Sequence, residues 1–304
     1  VGDYDTDGDM VLFVGGRIVP GQYPKAPRSY LLQNEKGVFQ DVTQTVAPDL
    51  LEIGLVNSAI WTDYNKDGTK DLVIAGEWMP ITVLRNLGSE FENVTEELGL
   101  GDTNGWWSSV AAGDFDQDGD EDYILGNLGL NYKYKASLET SFDIYYDDFD
   151  QNGTGDIVLS YTENGEEVPL RGRECSSQQM PFIKNKFTTY DAFGKATMTD
   201  IFGEEKLDNA LHLQAKTFAS VFLENTGDDD WLVSELSRLA QLSSVNGVVV
   251  KDIDNDGLLD AILAGNLYSS EIETPRNDSG NGLVLKGDGK GHFIPLKITR
   301  TGFF

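Results

Sequence analysis

Short apolar runs recur along a largely polar chain. Four of them directly follow an acidic stretch: LVIAG at 72–76, YILGN at 123–127, IVLSY at 157–161 and AILAG at 261–265. Runs this short and rich in β-branched residues are typical of buried strands rather than of helices. The apolar pattern therefore predicts an all-β fold.

A second pattern trails these runs. Alternating segments join through turns of Asn, Gly or Asp: SYLLQNEKGVFQDVT at 29–43, TVLRNLGSEFENVT at 82–95, SVFLENTGDDDWLVSEL at 220–236 and LVLKGDGKGHFIPLKI at 283–298. Each predicts a β-hairpin. One unit then holds four strands in about 50 residues, the period of a β-propeller of four-stranded blades. A parallel β-helix, with repeats of about nine residues, does not fit.

The acidic stretch before each run has a fixed spacing. Asp or Asn stands at positions 1, 3 and 5, Gly at position 6, and Asp at position 9 in four of five loops. Loop by loop, the residues at positions 1, 3, 5 and 9 are Asp3, Asp5 and Asp7; Asp63, Asn65, Asp67 and Asp71; Asp114, Asp116, Asp118 and Asp122; Asp148, Asp150, Asn152 and Asp156; and Asp252, Asp254, Asp256 and Asp260.

Carboxylates this close together repel one another unless they are solvated or hold a cation. A single acidic turn would be typical of a solvated surface loop, but five copies in register favour a cation. Alternating ligands and a Gly at position 6 suit a tight loop around Ca²⁺. Position 12 is apolar in every copy, whereas an EF-hand needs Glu there. The sequence therefore predicts four or five calcium sites of a strand–loop–strand type.

The strand pattern breaks at 177–219. Helix formers with apolar residues at helical spacing predict one or two short helices, inserted into a blade of a single propeller that spans residues 1–304. Basic residues collect nearby, namely Arg171, Arg173, Lys184, Lys186 and Lys195. They either pair locally or form a docking surface for an acidic partner.

Charge and composition narrow the class of protein. The net charge of −28, with 51 acidic and 23 basic residues, argues against nucleic acid as a partner. Cys175 is the single cysteine, so no internal disulfide can form. No apolar run approaches the ~18 residues of a transmembrane helix. The chain begins inside a repeat without its leading strand, and we expect a fragment of a longer protein.

The loops and hairpins resemble those of FG-GAP/VCBS repeat proteins, which include integrin α-subunit propellers and cartilage-acidic-protein-like bacterial surface proteins. GWWSSVAAGDFDQDGDEDYILGNLGLN at 105–131 and IAGEWMPITVLRN at 74–86 look especially like the bacterial members. The resemblance implies a calcium-binding propeller that is extracellular or on the bacterial cell surface, associated with the outer membrane. It also implies that Asn65 and Asn152 ligate through the amide oxygen, and that Val11 at position 9 leaves the first site weaker or empty.

The sequence favours a binding module over an enzyme. No pattern pairs His212 or His292 with Ser or Cys, and GDGKG at 287–291 lacks the spacing of a phosphate-binding loop. We therefore expect no catalytic residues and no cofactor besides Ca²⁺. A polysaccharide-cleaving enzyme with paired carboxylates is the less favoured alternative.

Two kinds of ligand are candidates for binding at the rim of the predicted propeller. One is a protein partner, bound by an adhesion or interaction module that could be an accessory part of a bacterial outer-membrane assembly. The other is a glycan, in a carbohydrate-binding propeller that captures polysaccharide. Trp78, Trp106 and Trp107 are candidates for stacking on such a ligand, unless they pack between blades.

Overall fold

More of the chain lies in strands than in helices, which confirms the all-β prediction. The computed structural model describes residues 1–227, 231–270 and 274–302. In chain order its strands are β1 (Leu12–Val14), β2 (Tyr30–Glu35), β3 (Val38–Asp41), β4 (Leu55–Thr62), β5 (Asp71–Met79), β6 (Thr82–Asn86), β7 (Phe91–Asn93), β8 (Gly105–Trp106), β9 (Ser109–Gly113), β10 (Asp122–Gly126), β11 (Phe142–Asp147), β12 (Asp156–Glu163), β13 (Glu166–Pro169), β14 (Leu211–Ala215), β15 (Val221–Glu224), β16 (Leu232–Glu235), β17 (Gly247–Lys251), β18 (Asp260–Ala264), β19 (Leu283–Gly287) and β20 (Phe293–Pro295).

The helices are all short. They are α1 (Thr43–Val46), a 3₁₀ helix (Pro48–Leu51), α2 (Arg173–Gln179), α3 (Phe182–Lys186), α4 (Tyr190–Gly194), α5 (Met198–Phe202), α6 (Glu204–Asn209) and α7 (Ile298–Thr301). Within the described residues, no helix has both the length and the hydrophobicity needed to cross a bilayer.

The strands form five antiparallel sheets in the described part of the chain. Sheet 1 has the order β1-β2-β3; sheet 2, β4-β5-β6-β7 with β8 beside the end of β5; sheet 3, β9-β10-β15-β16; sheet 4, β14-β11-β12-β13; and sheet 5, β17-β18-β19-β20. All four predicted hairpins are present, as β2–β3, β6–β7, β15–β16 and β19–β20. Part of the third hairpin turn, residues 228–230, lies outside the described residues.

Sheet 3 is interrupted by a large insertion. β10 and β15 are neighbours in the sheet, with Tyr123 opposite Leu223, yet the chain between them contains all of sheet 4 and helices α2–α6. The two ends of the insertion meet at its base, where the backbone N–H of Asn127 donates to Ser220 Oγ at 3.0 Å. The unit that carries the fourth acidic loop is therefore inserted within a sheet and does not follow sheet 3 in the series.

The helical segment differs from the one predicted at 177–219. Five short helices occupy residues 173–209, not one or two, and residues 211–215 form strand β14. LHLQA at 211–215 alternates with the period of a strand. It pairs with β11, placing His212 opposite Tyr145. The helical pattern that precedes it concealed this short alternation.

Sheets 1, 2, 3 and 5 pack face to face in series. Buried side chains of sheets 1 and 2 form one shared core, those of sheets 2 and 3 a second, and those of sheets 3 and 5 a third. The first strands β4, β9 and β17 lie side by side. The described residues do not close these sheets into a ring, so the propeller prediction is confirmed only as far as a series of antiparallel, mostly four-stranded sheets.

An aromatic pair recurs at each junction between sheets. The side chain at position 2 of an acidic loop packs on an aromatic ring at the outer edge of the next sheet. The pairs are Tyr4–Phe91, with ring centroids 5.4 Å apart, Tyr64–Trp231 at 5.4 Å and Phe115–Phe293 at 5.2 Å. These three loops are thus part of the contact with the neighbouring sheet.

A hydrogen bond accompanies the aromatic pair at the first two junctions. Asn86 Nδ2 donates to the carbonyl of Tyr4 at 2.7 Å, and Asn225 Nδ2 donates to that of Tyr64 at 2.8 Å. Both amides are almost fully buried. Because Asn86 is the last residue of β6 and Asn225 directly follows β15, the loop of one sheet is fixed to a strand of the next.

Helices take the place of the next sheet in the insertion. Phe149, at position 2 of the fourth loop, packs on Phe202 of α5 with centroids 4.6 Å apart. Lys206 Nζ of α6 donates to the carbonyl of Phe149 at 2.6 Å. The same kind of junction is therefore made with a helical partner.

Candidate metal centres

Four of the five acidic loops connect a strand to the next strand of the same sheet, as predicted. Loop 2 (63–71) joins β4 to β5, loop 3 (114–122) joins β9 to β10, loop 4 (148–156) joins β11 to β12, and loop 5 (252–260) joins β17 to β18, while loop 1 (3–11) precedes β1. Apolar side chains on both sides of the loop anchor it to the core.

All five loops share one backbone conformation. Position 4 is left-handed in each, with φ from 57° to 66°, at Thr6, Lys66, Gln117, Gln151 and Asn255. Position 6 is a Gly with φ from 86° to 92°. Glycine adopts such an angle at little cost, whereas other residues are strained there. Loop 1 has this geometry although Val11 occupies its ninth position.

This conformation brings the predicted ligands together. Three carboxylates lie within 4.8 Å of one another in four loops, as Asp3, Asp5 and Asp7; Asp114, Asp116 and Asp118; Asp148, Asp150 and Asp156; and Asp252, Asp254 and Asp260. In loop 2 an amide replaces one carboxylate, and Asn65 Nδ2 donates to Asp67 Oδ2 at 2.9 Å.

Several of these oxygens are buried without a hydrogen-bond donor. Among the described residues, Asp3 Oδ1, Asp5 Oδ1 and Asp114 Oδ1 have no partner. A buried carboxylate oxygen without a partner is strongly unfavourable, and a cation would satisfy it. Because hard cations such as Ca²⁺ prefer oxygen ligands, the donor set of loops 1 and 3 fits calcium.

The ninth-position carboxylates are buried and already hydrogen-bonded. Asp122 Oδ2 accepts from the backbone N–H of Phe115 at 3.2 Å, and Oδ1 accepts from that of Asn225 at 2.9 Å. Asp71 and Asp260 accept from the equivalent two backbone groups. These residues therefore tie each loop to the third strand of its sheet, a role that the ligand pattern did not reveal.

Burial has a strong effect on these carboxyl groups. It raises the pKa of Asp122 to about 7 and that of Asp71 to about 6, while the backbone N–H donors oppose the shift. The pKa of Asp156 is also raised by burial. In loop 1 the buried Val11 stands in this position, so the need to bury a charge does not arise there.

Lysine side chains already contact two of the loops. Lys286 Nζ pairs with Asp256 at 2.8 Å and with Asp254, so loop 5 has an ammonium group among its predicted ligands. This hydrogen bond lowers the pKa of Asp256. Lys66 of loop 2 reaches Asp120 Oδ2 of loop 3 at 3.4 Å, which brings the two loops close together.

Residues 63–125, from loop 2 through loop 3 to β10, match the family model of the FG-GAP-like repeat. The chain contains an FG-GAP-like repeat. The match covers the two loops and the hairpin between them on which the resemblance in sequence rests. Such a repeat suggests a module that interacts with proteins or other ligands.

The other comparisons add little to the FG-GAP-like repeat. No curated protein matches the chain. Among solved structures, the chain is similar to a lectin of Agrocybe aegerita, described as recognising non-reducing terminal N-acetylglucosamine. That match has 18% sequence identity, covers 95% of this chain and 79% of the lectin, and has a TM-score of 0.26. A score this low carries no structural argument.

Sequence reasoning missed a second polar cluster, on sheet 4. His212 Nε2 lies 2.7 Å from Asp143 Oδ1, and Glu167 is near enough for the three side chains to converge. Burial raises the pKa of the adjacent Tyr145 hydroxyl, and the negative charges of Glu167 and Asp143 raise it further. The residues are far apart in the chain, so spacing could not reveal them.

The three candidate tryptophans are mainly packing residues. Trp107 is fully buried and its Nε1 donates to the carbonyl of Thr103 at 2.9 Å. Trp78 is 3% exposed and meets Trp106 edge-on, with centroids 5.1 Å apart. Trp78 has φ +61° at a bulge of β5, a strained conformation for a bulky residue.

A cavity of about 210 Å³ adjoins this aromatic cluster. Trp78, Trp106, Tyr23 and Tyr134 are among the residues that line it. The indole N–H of Trp106 is buried without a hydrogen-bond partner among the described residues. Aromatic side chains together with the indole N–H of Trp106 as a hydrogen-bond donor could hold the ring of a small ligand.

The basic residues near the helices have local partners. Lys184 pairs with Glu174 at 2.9 Å and Lys195 with Asp191 at 2.8 Å. Arg173 Nε and Lys186 Nζ donate to backbone carbonyl groups. These contacts favour local charge balance over a docking surface.

Proposed function

We propose that the protein is a calcium-stabilised interaction module, in which Ca²⁺ in the acidic loops holds neighbouring sheets together and a partner binds the surface that the sheets present. The observation that carries this proposal is the shared conformation of the five loops, in four of which three carboxylates converge. Among the described residues, loops 1 and 3 also contain buried carboxylate oxygens without a hydrogen-bond partner. The ligands would be the residues at positions 1, 3, 5 and 9 of loops 2 to 5, and Asp3, Asp5 and Asp7 of loop 1, where Val11 occupies position 9.

The position of the loops explains how calcium would act on stability. Position 2 of loops 1, 2 and 3 supplies the aromatic ring that packs on the next sheet. A loop with repelling carboxylates would lose its conformation and weaken that junction. A bound ion neutralises the repulsion and fixes the loop, so each ion supports two sheets.

An extracellular or bacterial cell-surface location suits this role. Calcium outside cells is millimolar, the range in which exposed acidic loops of modest affinity fill. We therefore propose that the module lies outside the cell or on its surface. A protein is the favoured ligand there, and adhesion or assembly is the favoured function.

The first test combines thermal melting in millimolar calcium and in excess EGTA with native mass spectrometry to count the ions. A ligand at a hundred times its Kd stabilises by about 2.7 kcal/mol per site, so calcium should raise the melting temperature markedly, with four or five ions bound. Asp114→Ala, which removes the ligating oxygens, should remove one ion, whereas Asp49→Ala, an exposed control in the 3₁₀ helix, should remove none. A chain that binds no calcium and melts identically in both conditions would refute the proposal.

Glycan binding is the second candidate, and the aromatic cavity favours it. We propose a glycan array in calcium, followed by titration of any hit against Trp106→Phe, which keeps an aromatic ring but removes the N–H donor. The matched control is Trp61→Phe, in the core between sheets 1 and 2. Loss of binding in Trp106→Phe alone would support the cavity as the site. No binding on the array would leave the protein partner as the ligand to pursue.

A further inference from the structure

The polar cluster on sheet 4 has a geometry unlike that of the acidic loops. Asp143 comes from β11, Glu167 from β13 and His212 from β14, and each brings one ligand atom within 4.8 Å of the others. Tyr145, on the same face of β11, packs in the core shared with helices α2–α6. The backbone ladder of sheet 4 therefore sets the spacing of the three side chains.

Further hydrogen bonds orient both carboxylates. Ser141 Oγ donates to Asp143 Oδ2 at 2.7 Å, and Gln214 Nε2 donates to Oδ1, the oxygen that faces His212, at 2.8 Å. Ser160 Oγ donates to Glu167 Oε1 at 2.6 Å. Outer contacts of this kind typically hold the ligands of a metal site in position.

The imidazole is fixed as well. Its ring stacks on Tyr145, with centroids 4.1 Å apart and an angle of 6° between the planes. Tyr145 OH also donates to Glu167 Oε2 at 3.1 Å. The side chain of His212 keeps 35% of its surface exposed, so a route from solvent reaches the cluster.

The charge of the cluster calls for a cation. Asp143 is 3% exposed and Glu167 is partly buried, so two carboxylates share a partly buried site. Burying like charges is costly unless an opposite charge is present.

We propose that Asp143, Glu167 and His212 bind one divalent transition-metal ion of the zinc class. One imidazole nitrogen with two carboxylate oxygens is a donor set typical of Zn²⁺ and its neighbours, whereas Ca²⁺ takes oxygen ligands. Three protein ligands leave a fourth position open. Nε2 is the imidazole nitrogen that faces Asp143 Oδ1, so it would be the ligand atom, and a metal binds it only without its proton.

The test titrates Zn²⁺ into the full chain in saturating calcium and follows binding by calorimetry and equilibrium dialysis. The wild type should bind one Zn²⁺ at a site that calcium does not fill. His212→Ala should weaken that binding by at least the ~10–100-fold that loss of an outer partner costs at a metal site. His292→Ala is the matched control, since its imidazole is 79% exposed and should not change binding.

A second variant separates ligand loss from misfolding. Glu167→Gln keeps the shape of the side chain and removes its charge, so it should weaken Zn²⁺ binding while the circular dichroism spectrum stays that of the wild type. The proposal is overturned if the wild type binds no Zn²⁺, or if folded His212→Ala and Glu167→Gln bind it as tightly as the wild type does.

Discussion

Single side chains make the five loops unequal. In sheets 1 and 5, a residue near the end of the first hairpin strand contacts the loop of its own sheet. In sheet 1 this residue is Gln33, whose Nε2 donates to Asp5 Oδ2 at 2.8 Å, and in sheet 5 it is Lys286, which pairs with Asp254 and Asp256. A calcium ion entering loop 5 must displace an ammonium group, whereas one entering loop 1 displaces a neutral amide.

Replacing Lys286 should therefore improve calcium binding. In Lys286→Gln, the affinity of loop 5 for calcium should rise about tenfold, equivalent to roughly 1.4 kcal/mol, because the competing charge is gone. Calorimetric titration with calcium measures the change. Lys290→Gln, in the exposed hairpin turn, is the control and should leave the titration unaltered. Equal affinities in both variants would contradict the competition.

The buried ninth-position carboxyl group should make the calcium-free protein sensitive to pH. The pKa of Asp122 is raised to about 7 in the fold, against about 3.9 in an unfolded chain. Between these values the native state holds the proton and the unfolded chain does not. The contribution of Asp122 to stability is therefore complete below about pH 4 and is lost as the pH rises through about 7.

Urea unfolding in EGTA at pH 5 and pH 7 tests this dependence. The decrease in the free energy of unfolding between the two values should be smaller in Asp122→Asn than in the wild type. Asp49→Asn, which removes an exposed carboxyl group, should keep the wild-type decrease. An unchanged slope in Asp122→Asn would show that this group does not titrate in that range.

At the scale of the sheets, the same kind of contact between adjacent sheets recurs from one junction to the next. A loop aromatic ring meets an outer-strand ring, and at two junctions a buried Asn amide bonds to the loop backbone. Because these groups come from adjacent sheets, the loop conformation and the packing of the sheets depend on each other.

The asparagine contact can be tested with a close internal control. Asn225→Ala leaves the buried carbonyl of Tyr64 without its donor, and we expect a loss of about 1–3 kcal/mol in the free energy of unfolding. Asn34 precedes the equivalent hairpin turn of sheet 1, where its Oδ1 accepts from the N–H of Gly37. Asn34→Ala loses only that turn contact and should cost less. Chemical denaturation in calcium distinguishes the two, and equal losses would argue against the junction.

Sequence reasoning succeeded where the signal is local. The loops, the strands that follow them and the four hairpins are encoded within about 15 residues, so spacing and alternation reveal them. The pairing of β10 with β15 places Tyr123 opposite Leu223, and no local sequence pattern indicates that these two residues are neighbours. The cluster of Asp143, Glu167 and His212 was missed for the same reason, since it exists only once three strands are aligned.

At the scale of the whole molecule, the charge is the dominant feature. The net charge is −28, and loops 2, 3 and 5 are close neighbours, since Lys66 of loop 2 reaches Asp120 of loop 3 and Gln117 Nε2 of loop 3 donates to Gly257 of loop 5 at 3.4 Å. Without ions, the repulsion between these loops opposes folding over a distance that salt can screen.

Salt should therefore substitute in part for calcium. Raising sodium chloride from about 0.05 M to about 0.5 M shortens the screening length severalfold. The melting temperature should rise clearly in EGTA and little in saturating calcium, where the loops are already neutralised. Differential scanning calorimetry of both series gives the comparison. The same rise in both conditions would mean that repulsion between the loops contributes little.

The interruption of sheet 3 also has a consequence for the order in which the chain folds. In the pairing of β5 with β6, Leu72 lies opposite Leu84, which is 12 residues later in the chain. In the pairing of β10 with β15, Tyr123 lies opposite Leu223, which is 100 residues later. Closing the longer loop as an open chain would cost about 2 kcal/mol more in entropy. If the insertion folds first, it brings its own ends together at Asn127 and Ser220 and removes most of that cost. The rate at which the central sheet forms is then set by the unit inserted into it.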